Sequence, residues 1–312
     1  MIDTAKLFSS VLLLFILIIP GFLLRKAKLA GDYLPKGFTN VILYVTQPAL
    51  IMVAFIRPYD AQVMKTALGV LIFSFLLHGV WFALSLLFFR KCEEKLKRVY
   101  RFGSIFANAG YMGIPLIMSL LGDDAAIFAS VYIVGFNFYC WSVGCLIYSG
   151  DKSYVSPRKM FLNPATIPTY IGLLFFLLPI DAFVPDVVVN ALETLRGTVA
   201  PMSMMLVGML LADMKLKGAF KDINFFISLA LKLILFPVIA WLFIKGADIS
   251  GIYSDATCAI VVLVCAATPS AAATSMFAEK FDGDSVTASK FVSISTILSL
   301  ITIPLVSLLL QI

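Results

Sequence analysis

Two stretches of the chain place small polar residues beside helix breakers inside otherwise apolar runs. One reads Asn108-Ala109-Gly110-Tyr111-Met112-Gly113-Ile114-Pro115, the other Ala266-Ala267-Thr268-Pro269-Ser270-Ala271-Ala272-Ala273-Thr274-Ser275. Glycine and proline weaken a helix interior. Breaks are therefore predicted near Gly110–Pro115 and Pro269–Ala273. A break frees backbone N–H groups at the start of the following half-helix, and with the dipole behind them these favour an anion. The chemistry on offer is reversible binding rather than bond making. The candidate binding residues are Asn108, Gly110, Tyr111, Met112, Gly113, Pro115, Thr268, Pro269, Ser270, Thr274 and, from a neighbouring run, Asn137. Proline kinks with small residues for close helix packing are the alternative reading of the same stretches.

Ionisable groups inside apolar runs are costly and are functional candidates by default. His78, the single histidine, and Lys232 both lie mid-run. A histidine titrates near neutral pH and could carry a coupling proton, with Lys232 as a fixed positive charge or second carrier. Gln47 is a third coupling candidate. For His78 the alternative is a structural hydrogen bond, for Lys232 partial snorkelling to the interface, and for Gln47 and Asn137 interhelical hydrogen bonding. No Walker A loop, HExxH or nucleophile motif is present, so no enzyme activity, cofactor or metal is expected. Asp123, Asp124, Asp282 and Asp284 are expected to cap helix N-termini.

The elements that must position these residues follow from composition. Of 312 residues 61% are hydrophobic and only 13% charged, against roughly 25% charged in a soluble domain. This excludes a soluble enzyme and a disordered chain. Ten apolar runs are visible, about 7–24, 34–56, 67–89, 102–121, 125–148, 164–178, 187–212, 223–244, 255–278 and 285–310. Each approaches the roughly 20 residues that span a bilayer as a helix, and none alternates as a barrel strand would. The fold class expected is all-α integral membrane, with about ten transmembrane helices. The five cysteines have no paired metal spacing and read as free thiols.

Lys and Arg collect in the odd-numbered loops: Arg25, Lys26, Lys28 and Lys36; Arg90 through Arg101; Lys152, Arg158 and Lys159; Lys215, Lys217 and Lys221. By the positive-inside rule these face the cytoplasm and both termini lie outside. The net charge of +6 is thus a topology signal, and no nucleic-acid partner is expected. Pro48 and Pro201, Asn108 and Pro269, and the Gly-Asp pairs at Gly122 and Gly283 recur at similar separations. They suggest two inverted five-helix repeats, 1–150 and 164–312, joined by a cytoplasmic linker at 151–163. Interrupted helices at matched positions of such halves point to a site near mid-membrane.

At these residues the chain resembles a bacterial member of the auxin efflux carrier (PIN-like) family. Asn108 to Pro115 resembles that family's Asn-x-Gly-x-x-Gly-x-Pro pattern. Pro269 to Ala278, Gly283-Asp284, Ser295 to Ser299 and Pro304 are similar to its last two spans, and Pro201 to Leu211 to its seventh. Where many members carry Asn after the span-nine proline, this chain has Ala273, so one polar contact is missing. The resemblance implies broken, crossing helices four and nine, as in sodium/proton antiporters and bile-acid symporters, a homodimer through scaffold helices, and small organic anions (mono- or dicarboxylates) as substrates. It implies a bacterial inner membrane location. The function expected is secondary transport by alternating access, with H+ as the coupling ion. A cation/proton antiporter of the same fold and a ligand sensor that does not transport are the alternatives.

Overall fold

The computed structural model describes residues 4–178, 183–213 and 222–311, and among these all regular structure is helical. The helices of eight residues or more are α1 (Lys6–Lys26), α2 (Leu34–Phe55), α3 (Ala61–Ser85), α4 (Glu94–Ile105), α5 (Ala109–Leu121), α6 (Asp123–Ser149), α7 (Ile167–Leu177), α8 (Asp186–Ala212), α9 (Ile223–Ile249), α10 (Ala256–Ala267), α11 (Ala273–Lys280) and α12 (Ser285–Leu310). Seven of them (α1, α2, α3, α6, α8, α9 and α12) are long and apolar enough to cross a membrane, while α5, α7 and α10 are shorter apolar helices. Helix α1 shows how apolarity divides. Leu7, Val11, Leu14 and Ile18 are buried at helical spacing, whereas Leu12, Leu13, Ile16 and Ile19 are exposed. Both faces are apolar, as a helix in lipid requires, so packing and not hydrophobicity selects the inner face.

Helices α1 and α8 make the closest approach. A Cβ on Gly21 would lie 2.0 Å from the Met205 carbonyl oxygen, and one on Gly208 2.1 Å from that of Ile18. Arg25, at the end of α1, donates to Asp213, just past the end of α8, at 2.7 Å. The two helices therefore run parallel in backbone contact.

A wide π turn occurs in α6 at Cys140–Gly144 and in three other helices at Ile42–Thr46, Ala109–Gly113 and Leu231–Leu235. Each of the latter three is followed at the second position by a proline, Pro48, Pro115 or Pro237. A proline donates no N–H and its ring crowds the carbonyl four residues back. In each case that carbonyl (of Tyr44, Tyr111 or Leu233) belongs to the π turn, whose wider path makes room.

Two expectations shift. Lys95, Lys97, Arg98 and Arg101 lie on α4 rather than in a loop. The α4 helix buries Val99, Tyr100 and Phe102, while Lys97 pairs with Glu94, Arg98 donates to the Tyr148 carbonyl and Arg101 to that of Phe88. Lys215, Lys217 and Lys221 lie outside the described residues. Of the four aspartates expected as caps, Asp284 accepts the Thr287 N–H at 2.8 Å. Asp123, Asp124 and Asp282 instead pair with Arg196, Arg57 and Lys95. Gly122 and Asp282 turn the chain at positive φ ahead of α6 and α12, so those side chains point outward to cations. Asp284→Ala should cost about 1 kcal/mol, the worth of an N-cap, read as a lowered melting temperature. Asp124→Ala should change it little, because an exposed ion pair contributes about 0–1 kcal/mol.

Candidate functional site

Helix α4 ends at Ile105 and α5 starts at Ala109; α10 ends at Ala267 and α11 starts at Ala273. The intervening segments are extended and lie side by side. The Asn108 N–H donates to the Pro269 carbonyl at 2.7 Å, and the Ala271 N–H to the Phe106 carbonyl at 2.9 Å. Ala107 and Ser270 form the antiparallel bridge between them. Away from water an unpaired backbone group costs several kcal/mol, and here each break satisfies the other. The second break follows from Thr268, which precedes a proline and is extended, with ψ 151°, as such residues favour.

The first break lies at Phe106–Asn108, N-terminal to the Gly110–Pro115 segment that was expected to form it. Gly110 to Gly113 instead form the π turn that opens α5, and this turn lets Pro115 sit inside the helix. Asn108 fixes the start of α5: its side-chain oxygen accepts the Tyr111 N–H at 3.3 Å and its carbonyl accepts the N–H groups of Met112 and Gly113.

The remaining candidates divide around this crossing. Ser270 donates its N–H to the Ser295 hydroxyl at 3.1 Å and shares a 2.9 Å hydrogen bond with Thr274. Thr268 turns its hydroxyl back to the Cys265 carbonyl. Gly113 packs on the end of α10, where an added Cβ would meet Cys265 Sγ at 3.5 Å and Thr268 Cγ2 at 3.7 Å. Met112 and Pro115 are buried in the core. Tyr111 packs against a separate small cluster of buried residues, Ala30, Ile42, Leu206 and Met209. Gly110 faces Gln47: an added Cβ would stand 3.7 Å from Gln47 Nε2 and 3.9 Å from Ile133 Cδ1. Asn137 lies one turn beyond Ile133 on α6. Both Gln47 Oε1 and Asn137 Nδ2 are buried without a hydrogen-bond partner, as is Thr46 Oγ1.

Behind the crossing, His78 is fully buried and its Nδ1 lies 2.7 Å from the Ser74 carbonyl. That carbonyl can only accept, so Nδ1 carries the hydrogen and Nε2 presents a lone pair, which has no partner. The ring stacks on Tyr139 and touches Trp81, Tyr132 and Phe106. Trp81 Nε1 and the Tyr132 hydroxyl are likewise unpartnered. Lys232 is 0% exposed, so it does not snorkel. Its ammonium donates to the Ala266 carbonyl at 3.0 Å and lies over the Trp81 ring at 5.9 Å. Sequence reasoning missed Trp81, Tyr132 and Thr46, and had Ser295 only within the family-like stretch Ser295 to Ser299. Each sits in an ordinary apolar or small-residue run, and only tertiary contact marks it. All five cysteines are free, and no group of metal-ligating side chains occurs among the described residues.

The sequence profile of the family described as membrane transport protein matches residues 6–156 and 152–307. The chain belongs to this family. It includes the auxin efflux carriers, whose motifs the two broken segments resemble. An uncharacterised transporter of Methanocaldococcus jannaschii is 22% identical over 305 residues, covering 95% of this chain and 96% of the relative. One of Methanothermobacter thermautotrophicus is 23% identical over 307 residues, covering 97% and 98%. Family membership and the long apolar helices together make the chain a multi-pass, all-helical membrane protein.

Proposed function

We propose that the chain is a secondary transporter of a small organic anion, a mono- or dicarboxylate, that works by alternating access with proton coupling. The observation that carries this reading is the hydrogen-bonded pair of interrupted helices, with an unpartnered amide atom on Gln47, which faces Gly110, and another on Asn137, one turn beyond Ile133 on α6. An unpartnered buried amide costs about 1–3 kcal/mol, a cost that a bound ligand removes. Half-helices α5 and α11 both start within a few residues of the bridge, so their positive ends favour an anion. Among the described residues no Asp or Glu is buried, which favours an anion over the cation that an antiporter of this fold would carry.

In this proposal ten spans form two inverted five-helix repeats, 1–150 and 164–312, with 151–163 as linker. One break in each half supports that arrangement. The α4–α5 and α10–α11 pairs are the crossover, and α1, α2, α7 and α8 the scaffold. The basic residues support a cytoplasmic placement of the odd loops and outward termini. A bacterial inner membrane and a homodimer complete the proposal; no catalysis is part of it.

Asn108 supplies the test. Asn108→Ala removes both the cap and a donor beside the site. A hydrogen bond to a charged ligand contributes about 1.5–3 kcal/mol, so affinity should fall about tenfold or more. Asn108→Asp keeps a capping oxygen but places a negative charge there, and should weaken anion binding further while melting near wild type. Titration of purified protein with a panel of mono- and dicarboxylates, beside uptake into proteoliposomes, reads both effects. Equal anion affinity in all three proteins would remove Asn108 from the site. Binding without uptake would favour a ligand sensor.

A further inference from the structure

The first half of the broken α10–α11 helix ends in carbonyls that the break deprives of their helical partners. Two of them are met locally: the Thr268 N–H donates to the Val264 carbonyl and the Thr268 hydroxyl to that of Cys265. The next, Ala266, has the Lys232 ammonium at 3.0 Å. This lysine comes from another helix, α9, where it is the second residue of the π turn. Neither Lys232 nor Ala266 is exposed, and none of the ion pairs among the described residues gives Lys232 a carboxylate. Its surroundings are a carbonyl, the Trp81 ring face and the Cys265 end of α10. A carbonyl helix end carries partial negative charge and an indole face attracts cations. In transporters with interrupted helices, such an end is where a free monovalent cation can be held.

We propose that Lys232 is a built-in cation, tethered at the carbonyl end of α10, and that it holds the second break in register without any free metal ion. Lys232 is thereby a positioning residue. It fixes Ala266, and through the Pro269 and Ala271 backbone bonds it fixes Asn108 and Phe106. This deepens the transport reading and rests on it for one consequence only, that uptake by the wild type needs no sodium. Cutting the side chain back should leave a cation site that a free monovalent cation can enter.

The experiment measures melting of the purified full chain in nanodiscs, for wild type and Lys232→Ala. Both are assayed in equal concentrations of choline, sodium, potassium or propylammonium chloride. In choline the variant should melt several degrees below wild type. Propylammonium, which replaces the missing methylenes and charge, should restore most of the loss, and sodium part of it, because binding to the folded state alone stabilises it. Wild type should not distinguish the salts. A purely structural lysine would lower melting without this selective rescue, so a variant indifferent to the cation overturns the proposal.

If Lys232→Ala does not accumulate, Lys232→Met keeps the volume and removes the charge. Amide hydrogen exchange at Ser270 and Ala271 should then quicken about tenfold or more, a local opening, with α1 and α8 unchanged. Exchange at the wild-type rate overturns the proposal. Should the wild type transport no organic anion, the functional reading fails, while cation rescue still decides the role of Lys232.

Discussion

Gly208→Val is expected to leave little folded protein. The hydrogen of Gly208 faces backbone, not side chain: a Cβ there would lie 2.1 Å from the Ile18 carbonyl oxygen and 2.7 Å from the Phe22 nitrogen. No rotamer change in α1 relieves such a contact, so the helices must separate. Separation would also open Gly21, whose own Cβ position lies 2.0 Å from the Met205 carbonyl oxygen. In lipid no hydrophobic force holds helices together, and close packing has to do it. Overpacking usually costs about 1–3 kcal/mol; two branched methyls driven against the α1 backbone belong at or above that range. Folded yield by size exclusion and the melting temperature test this. The control is Gly197→Val on the same helix, where an added Cβ meets nothing within 4 Å. Wild-type melting of Gly208→Val would mean that α1 and α8 do not depend on this contact.

That contact was not legible from the sequence, although Gly208 stood out as part of a family-like stretch. A glycine in an apolar run signals either close approach or a weakened helix, and only the partner helix decides which. Helix positions were legible, because apolar runs bounded by charge have one reading in a bilayer. The start of α4 was not: Lys95, Lys97, Arg98 and Arg101 look like a loop in composition, yet alternate with buried Val99, Tyr100 and Phe102 at helical spacing.

The site divides the same way. Pro269 marked the second break correctly, because a residue before proline leaves the helix and Thr268 does so. Gly110, Gly113 and Pro115 marked the first one only to within a turn. A π turn absorbs those residues, and the actual break at Phe106–Asn108 contains neither glycine nor proline. Its extended form comes from pairing with Pro269 and Ala271, a contact between residues more than 160 apart that local propensity does not encode. Gln47 and Asn137 were visible as polar residues in apolar runs, but that Gln47 faces Gly110 required the fold.

His78→Gln should abolish accumulation of anion driven by a pH gradient, while leaving exchange of anion across the membrane intact. The free ring nitrogen decides the outcome. Nδ1 is committed to the Ser74 carbonyl, one turn back on α3, so the ring is held in one tautomer and Nε2 is the only proton acceptor. It is buried without a partner. The ionisable groups near it are Tyr132 and Tyr139 of α6 and Lys232 of α9, with Trp81 between histidine and lysine. No carboxylate is buried among the described residues, so a protonated His78 has no resident counter-charge. An incoming carboxylate would supply one, which links substrate arrival to proton uptake as a symporter requires. Glutamine can donate to the Ser74 carbonyl but does not titrate, so it separates the structural bond from the proton. Proteoliposomes under imposed pH or sodium gradients read the difference, with counterflow exchange as the control for a folded carrier. Accumulation by His78→Gln under the pH gradient would move the coupling proton elsewhere, and accumulation driven by sodium alone would sink proton coupling altogether.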